Sequence, residues 1–108
     1  MNSSYVQVGN AKEAAEVFTL LANPYRVQIL ALLSQNEHTV TELGEALQAR
    51  PSVVSQQLRI LRLRNLVVAE RRGPYSHYRL ARPEIRELLD CLENYTSSRS
   101  TGERDGAG

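Results

Sequence analysis

The four prolines of this 108-residue chain mark the places where its secondary structure starts or turns. Pro24, Pro51 and Pro83 each precede a run with apolar residues at helical spacing. Proline suits the first position of a helix because an N–H at that position has no intrahelical partner. Pro74 follows Gly73 between two runs rich in β-forming residues, which predicts a hairpin turn. The prolines therefore predict several short helices and one β-hairpin.

The predicted fold class is mainly α with a small β-hairpin. In chain order, the expected elements are helices over 11–22, 24–34, 41–48 and 51–64, strands over 66–71 and 75–80, and a helix over 83–95. The second helix is almost wholly apolar, so we expect it to be the central buried one. A polar loop over 35–38 should precede the third helix, with Thr41 as its cap.

Both ends of the chain look unlike the middle. Residues 1–10 are expected to be a flexible N-terminus. The segment 96–108 is rich in Ser, Thr, Gly and charge and has no apolar anchor, which predicts a disordered tail. This leaves a single domain over 11–95.

Length and composition exclude several classes of protein. The longest uninterrupted apolar run is Ile29–Leu33, far short of the roughly 20 residues that a membrane-spanning helix needs. Cys91 is the single cysteine, so no intrachain disulfide is expected. The opening residues lack a secretory pattern, which predicts a cytoplasmic protein. Glycine-rich phosphate loops, nucleophile elbows and paired-histidine motifs are missing, so an enzyme is not expected.

Charge is distributed unevenly along the chain. The formal net charge is +1, but the segment 50–82 holds eight arginines against Glu70 alone, giving +7, while the segments on either side carry −3 each. A concentrated positive field of this kind favours a polyanionic partner. The alternative is a solvated basic surface without a partner.

The segment 51–64 has two contrasting faces. Val54, Leu58 and Leu61 form an apolar stripe at helical spacing. The opposite face carries polar side chains at positions i, i+3, i+4 and i+7: Ser52, Ser55, Gln56 and Arg59. Serine, glutamine and arginine are side chains that hydrogen-bond base edges and phosphates in the major groove. We therefore predict that this helix reads DNA; a neutral polar face is the alternative.

The hairpin offers a second set of basic side chains. Arg71 and Arg72 precede the turn and Arg79 follows it. A β-ribbon beside a recognition helix reaches the backbone or the minor groove. Alternatively, the hairpin only closes the core through Val68, Tyr78 and Leu80, and both roles are compatible because strand faces alternate.

Taken together, these motifs resemble the ArsR/SmtB winged-helix regulators. The resemblance rests on residues 21–33, 40–43, 52–61, 66–67 and 72–80, and it covers the chain from about Glu13 to Tyr95. It implies a winged helix-turn-helix of order α-α-α-α-β-β-α. It also implies a homodimeric transcriptional regulator, expected to be a repressor, that binds a palindromic DNA operator and responds to an effector.

We also expect particular residues to have particular roles. Base reading falls to the polar stripe Ser52, Ser55, Gln56 and Arg59, phosphate contacts to Arg50 and Arg62, and wing contacts to Arg71 and Arg72. The first and last helices form the dimer interface in that family, which places Val17, Leu21, Leu88, Leu92 and Tyr95 there. Arg50 and Gln57 differ from the residues usual at those positions, so the operator sequence does not transfer.

The familiar metal sites of that family are not reproduced in this chain. Thr41–Gly44 stands where relatives have a Cys-x-Cys pair, and the last-helix ligand positions hold Arg82, Glu84, Tyr95 and Ser98. Arginine repels a cation, and tyrosine and serine are poor ligands for a borderline metal. His38, His77 and Cys91 are weak candidates for an atypical transition-metal site, which stays open, as does a cation site on acids such as Glu84, Glu87 and Asp90. Cys91 is more simply expected to be a small buried side chain.

Two other functions remain open from the sequence. One is a co-regulator or activator that needs a partner protein to bind DNA tightly. The other is a winged-helix module whose basic face docks an acidic protein. Neither the effector nor the direction of regulation follows from the residues.

Overall fold

Over the residues that the structure describes, the fold is built from five helices and a three-stranded sheet. A computed structural model describes the backbone of residues 9–107 and the side chains of residues 9–97. Residues 1–8, predicted to be flexible, lie outside the described residues. The elements are α1 (Ala11–Leu21), α2 (Pro24–Gln35), β1 (His38–Thr39), α3 (Val40–Leu47), α4 (Pro51–Leu63), β2 (Val67–Arg72), β3 (Tyr75–Leu80) and α5 (Pro83–Ala107). The predicted fold class is confirmed.

The helix starts follow from side-chain caps and prolines. Asn23 Oδ1 accepts a hydrogen bond from the N–H of Arg26 at 3.2 Å, with Pro24 at the first helical position. Asn10 caps α1 in the same way, through the N–H of Glu13 at 3.0 Å. Each bond satisfies a donor that the first turn of a helix leaves without a partner.

The cap of α3 differs from the prediction. Thr39, and not Thr41, precedes the helix: its Oγ1 accepts from the N–H of Glu42 at 3.2 Å, and Glu42 Oε1 accepts from the N–H of Thr39 at 2.8 Å. This reciprocal pair needs an acidic or amide side chain three residues after the cap. The residue three positions after Thr41 is Gly44, which has no side chain to return the bond.

The predicted polar loop 35–38 ends in a short strand that the sequence did not indicate. His38 pairs with Tyr78 and Thr39 pairs with His77, which adds β1 to the outer edge of β3 in the sheet order β1-β3-β2. Two residues are too few to show the alternation that identifies a strand. The strand joins the start of α3 directly to the hairpin.

Helix α2 is the centre of the core, as predicted. Its Ile29, Leu30 and Leu33 are buried and lie in one cluster with the inner face of α4. The other buried members of the cluster are Leu20, Leu43, Leu66, Val67, Ile85 and Leu89. Burial of this apolar area is the main favourable term that holds the helices and the hairpin together.

The hairpin closes the core through a different valine from the one we predicted. Gly73 has φ 59° at the first position of a two-residue turn, a conformation that favours glycine. The register pairs Val67 with Leu80 on the core face, and Val67 is only 1% exposed. Val68 pairs with Arg79 on the opposite face. The core position expected for Val68 is wrong, because a shift of one residue exchanges the two faces of a strand.

Helix α5 extends past Tyr95 to Ala107, although the composition predicted a disordered tail from Thr96. The segment after Tyr95 contains no proline, so every residue in it has an N–H to continue the helical hydrogen bonds. The Thr96 hydroxyl donates to the carbonyl of Leu92 at 3.0 Å. Composition alone did not indicate this helical backbone.

Within the described residues, no single helix is long and apolar enough to cross a membrane; α1 and α2 reach that length and apolarity only as a pair, which is bent by 98°.

Candidate nucleic-acid interface

A close approach between backbones marks the connection between α3 and α4. The N–H of Ala49 donates to the carbonyl of Gly44 at 2.9 Å, and Gln48 adopts a left-handed conformation with φ 54°. A Cβ added to Gly44 would lie 2.9 Å from the Ala49 oxygen, closer than such atoms normally come. Glycine at this position therefore allows the tight three-residue break that joins the two helices of the predicted helix-turn-helix.

Helix α4 has one buried face and one exposed polar face. Val54, Leu58 and Leu61 lie in the core. The structure places all four predicted base-reading side chains at the surface: Ser52, Ser55, Gln56 and Arg59. Within the part of the chain that the structure describes, none of the four has a hydrogen bond or ion pair. Their hydrogen-bonding groups are therefore available to a ligand.

The basic side chains at the two ends of α4 are also exposed. Arg50 is the N-cap residue and makes no side-chain cap hydrogen bond, while Arg62 lies in the last turn. Arg64, just after the helix, is 4.0 Å from Glu16 of α1. Arg50 and Arg62 thus flank the polar face of α4 with positive charge.

The arginines of the hairpin are arranged differently from those of α4. Arg71 Nε donates to the carbonyl of Gly73 at 3.0 Å, and its terminal nitrogens have no partner in the part of the chain that the structure describes. Arg72 instead donates to both oxygens of Glu37, at 2.7 and 2.9 Å, and to Glu70 at 2.8 Å. Arg79 lies exposed on β3. The prediction grouped Arg71 with Arg72, but the two side chains have different surroundings.

Glu37 is a residue that the sequence analysis missed. Hydrogen bonds from Arg72 hold the pKa of its carboxyl below the ordinary value, outweighing a desolvation effect, and the charges of Arg72, His77 and Arg79 act in the same direction. In turn, the hydrogen bonds that Arg72 donates to Glu37 and Glu70 raise the pKa of Arg72. Glu37 lies 35 residues before Arg72 in the sequence, so no local spacing pointed to the contact.

The predicted dimer residues lie on the two terminal helices with part of their surface uncovered. Val17, Leu21, Leu88 and Leu92 are half-buried and Tyr95 is exposed. Phe18, which was not among the predicted interface residues, is 62% exposed on α1. Apolar area on α1 and α5 is thus still available for burial.

The three weak metal candidates do not come together. His38 Nδ1 lies 2.8 Å from the carbonyl oxygen of Asn36, and His77 is half-buried on β3. Cys91 is exposed, so its predicted burial was wrong. Although leucines flank it, Cys91 is rotated by about 160° from buried Leu89 around the helix axis. Among the described side chains, no three His, Cys, Asp or Glu residues form a group that could hold a metal ion.

Comparison with known proteins identifies the family. Residues 23–68 match the profile of the bacterial regulatory protein, arsR family. The chain is 36% identical over 92 residues to a transcriptional repressor SmtB homolog of Synechocystis sp., covering 82% of this chain and 70% of that protein. The chain belongs to the ArsR family. It is therefore a DNA-binding transcriptional regulator, and the resemblance seen in the sequence is confirmed.

Solved structures of related proteins support the ArsR-family fold. HlyU from Vibrio cholerae superposes with a TM-score of 0.76 and 30% identity, covering 82% of this chain and 97% of that one. A Mycobacterium bovis protein described as a homodimeric winged helix-turn-helix DNA-binding domain superposes with a TM-score of 0.74 and 28% identity, covering 86% of this chain and 93% of that one. The hairpin β2–β3 is accordingly the wing of the fold.

Proposed function

We propose that this ArsR-family chain is a repressor that binds a palindromic operator as a homodimer. The exposed face of α4, formed by Ser52, Ser55, Gln56 and Arg59, would enter the major groove and read base edges. The observation that carries this proposal is that, among the described residues, these four side chains lie exposed without partners on a helix whose other face is fixed in the core.

The phosphate contacts would come from arginines around that face. Arg50 and Arg62 lie at the ends of α4, and Arg71 lies on the wing, where its terminal nitrogens have no partner among the described side chains. Arginine suits this role because its planar guanidinium forms two parallel hydrogen bonds to a phosphate. Such contacts would fix the position of the protein on the duplex and leave sequence reading to α4.

The homodimer would form through α1 and α5, with Val17, Leu21, Leu88, Leu92 and Tyr95 in the interface. One short helix reads few base pairs, and two copies related by a twofold axis read two half-sites about one turn of DNA apart, roughly 34 Å. The partly uncovered apolar side chains on both helices support this arrangement. The homodimeric relative from Mycobacterium bovis supports it as well. The protein would act in the cytoplasm.

Salt dependence of DNA binding tests the proposal most directly. A labelled duplex taken from the region upstream of its own coding sequence would be titrated with the protein. If three to five phosphates are neutralised per protomer, affinity should fall roughly 10³–10⁵-fold between 50 and 200 mM salt. An affinity that does not change with salt would overturn the electrostatic role of the arginines. If the complex survives an excess of random competitor DNA, the protein binds an operator. If the basic face instead docks an acidic protein, no such DNA complex should form.

An activator is the second candidate, because HlyU of Vibrio cholerae, which is 32% identical over 83 residues, is described as a transcriptional activator. Transcription from the bound promoter in vitro would rise with added protein for an activator and fall for a repressor. An activator that needs a partner protein would bind DNA feebly alone and tightly after the partner is added.

DNA binding by the proposed repressor would respond to an effector. A transition metal at an atypical site involving His38, His77 or Cys91 is one alternative. Metal analysis of the purified protein and calorimetry with nickel, zinc and cobalt would test it, since binding with a defined stoichiometry is expected only if such a site exists.

A further inference from the structure

Arg72 at the end of β2 is enclosed by two carboxylates on one side of the wing. Both of its terminal nitrogens donate to Glu37, at 2.7 and 2.9 Å, and one of them also donates to Glu70 at 2.8 Å. Glu37 lies in the link between α2 and β1, so the contact connects the wing to the segment that leads into α3. Glu37, Glu70 and Arg72 are called the wing triad below.

The wing triad changes the charge that the wing presents to DNA. Two ionised carboxylates and one guanidinium sum to −1, whereas Arg72 beside two neutral side chains would contribute +1. The fork of the guanidinium, which would grip a phosphate, is already filled by the two oxygens of Glu37. A phosphate oxygen would therefore have to displace carboxylates that are held in favourable geometry.

We propose that Glu37 and Glu70 hold Arg72 away from the DNA backbone and thereby lower the affinity of the wing for DNA. The inference rests on the proposed function, because it takes the hairpin as a DNA-contacting wing. Glu37 and Glu70 would lower the affinity for DNA without making a favourable contact with DNA themselves. When the wing triad opens, Arg72 supplies one more phosphate contact per protomer.

The competing interpretation is that the wing triad braces the wing in the orientation needed for binding. The sheet makes such a brace unnecessary. β2 and β3 pair over their whole lengths, from Val67 with Leu80 to Arg72 with Tyr75, and β1 adds two more pairs with β3. The three side chains of the triad are substantially exposed, at 36–55%, and exposed ion pairs contribute little to stability. The wing should therefore keep its place when the carboxylates are removed.

A charge-neutral replacement of both carboxylates tests the proposal. The variant E37Q/E70Q keeps side-chain size but releases Arg72. Binding to a labelled duplex of fixed mixed sequence would be followed by fluorescence anisotropy across a range of salt, because phosphate contacts do not depend on sequence. Each wing that engages should steepen the salt slope by about 0.9 and tighten binding by roughly eightfold at 0.1 M salt.

Two further variants separate this effect from a general change of charge. The control E45Q/E87Q removes two negative charges from α3 and α5 without touching the wing triad, and should tighten binding less. The triple variant E37Q/E70Q/R72Q should lose the extra gain, because the released arginine is its source. A loss of affinity in E37Q/E70Q would establish the brace instead. A gain equal to that of the control, or one that survives removal of Arg72, would overturn the proposal.

Failure of this inference is distinguishable from failure of the proposed function. If the unmodified protein shows no salt-dependent binding to any duplex, the proposed function is wrong, and the inference about the wing falls with it. If the unmodified protein binds but Arg72 never contributes, only the inference fails. Circular dichroism melts of all variants would show that each one is folded.

Discussion

Helix α4 and the wing both present polar side chains at the surface, but these side chains differ in whether they already have intramolecular partners. On α4, Gln56 and Arg59 lie exposed and have no intramolecular partner among the described residues. On the wing, the Arg72 guanidinium is already neutralised by Glu37 and Glu70. The polar face of α4 is thus uncovered as it stands, whereas Arg72 would have to give up internal contacts before it could make external ones.

Under the proposed function, this difference would separate specificity from affinity. Side chains that read bases need fixed positions, and α4 would provide them because its inner face is anchored in the core. Backbone contacts add to affinity without reading sequence, so their strength can be adjusted by internal competition with carboxylates. Weaker backbone contacts would benefit a regulator, because random DNA that is bound too tightly would compete with the operator for the protein.

The largest expected effect concerns the anchoring of α4. Leu58→Ala removes a side chain that is 1% exposed, whereas Leu63→Ala removes the same side chain from the same helix at a position that is 68% exposed. Leu58→Ala should lower the free energy of unfolding by about 2–5 kcal/mol through lost burial and a cavity. Leu63→Ala should cost less than about 1 kcal/mol. Urea denaturation of both variants measures the difference, and equal losses would mean that α4 is not anchored through its inner face.

The next effect distinguishes reading from positioning. Gln56→Ala should remove a base contact and relax preference for one base pair by about 1–3 kcal/mol, leaving affinity for random DNA almost unchanged. Arg71→Ala is the matched wing variant: it should weaken binding to all sequences alike and reduce the salt slope by about 1. Competition assays with operator and random duplexes measure both quantities. If both variants lost affinity uniformly, the division of labour between helix and wing would be wrong.

Sequence periodicity was sufficient to predict α4 because the helix has its two faces encoded locally. Val54 and Leu58 against Ser55 and Gln56 show which side is buried, and the structure agrees. Whether the exposed side chains contact DNA stays a prediction. Thr39 was missed as a cap although Glu42, three residues later, carried the signal.

Contacts between distant segments could not be predicted in this way. The pairing of Glu37 with Arg72 depends on β1 joining the edge of β3, and a two-residue strand leaves no periodic trace in the sequence. Cys91 shows the opposite error, because its leucine neighbours suggested burial while the helical rotation places it outside. Local pattern thus fixes the faces of elements, but the partners of charged side chains depend on tertiary packing.

The smallest expected effect tests whether the wing is closed in solution. Because Arg72 lowers the pKa of Glu37 in the folded protein, the ionised pair contributes stability above the pKa of the unfolded glutamate, about 4.3, and this contribution is lost as the pH falls through the folded-state pKa. Glu37→Gln has no such group to titrate. The unmodified protein should therefore melt slightly higher than Glu37→Gln at pH 7, and the gap should close towards pH 3. A gap of the same size at both pH values would mean that the contact does not form in solution, and the contrast between an open helix face and a closed wing would then disappear.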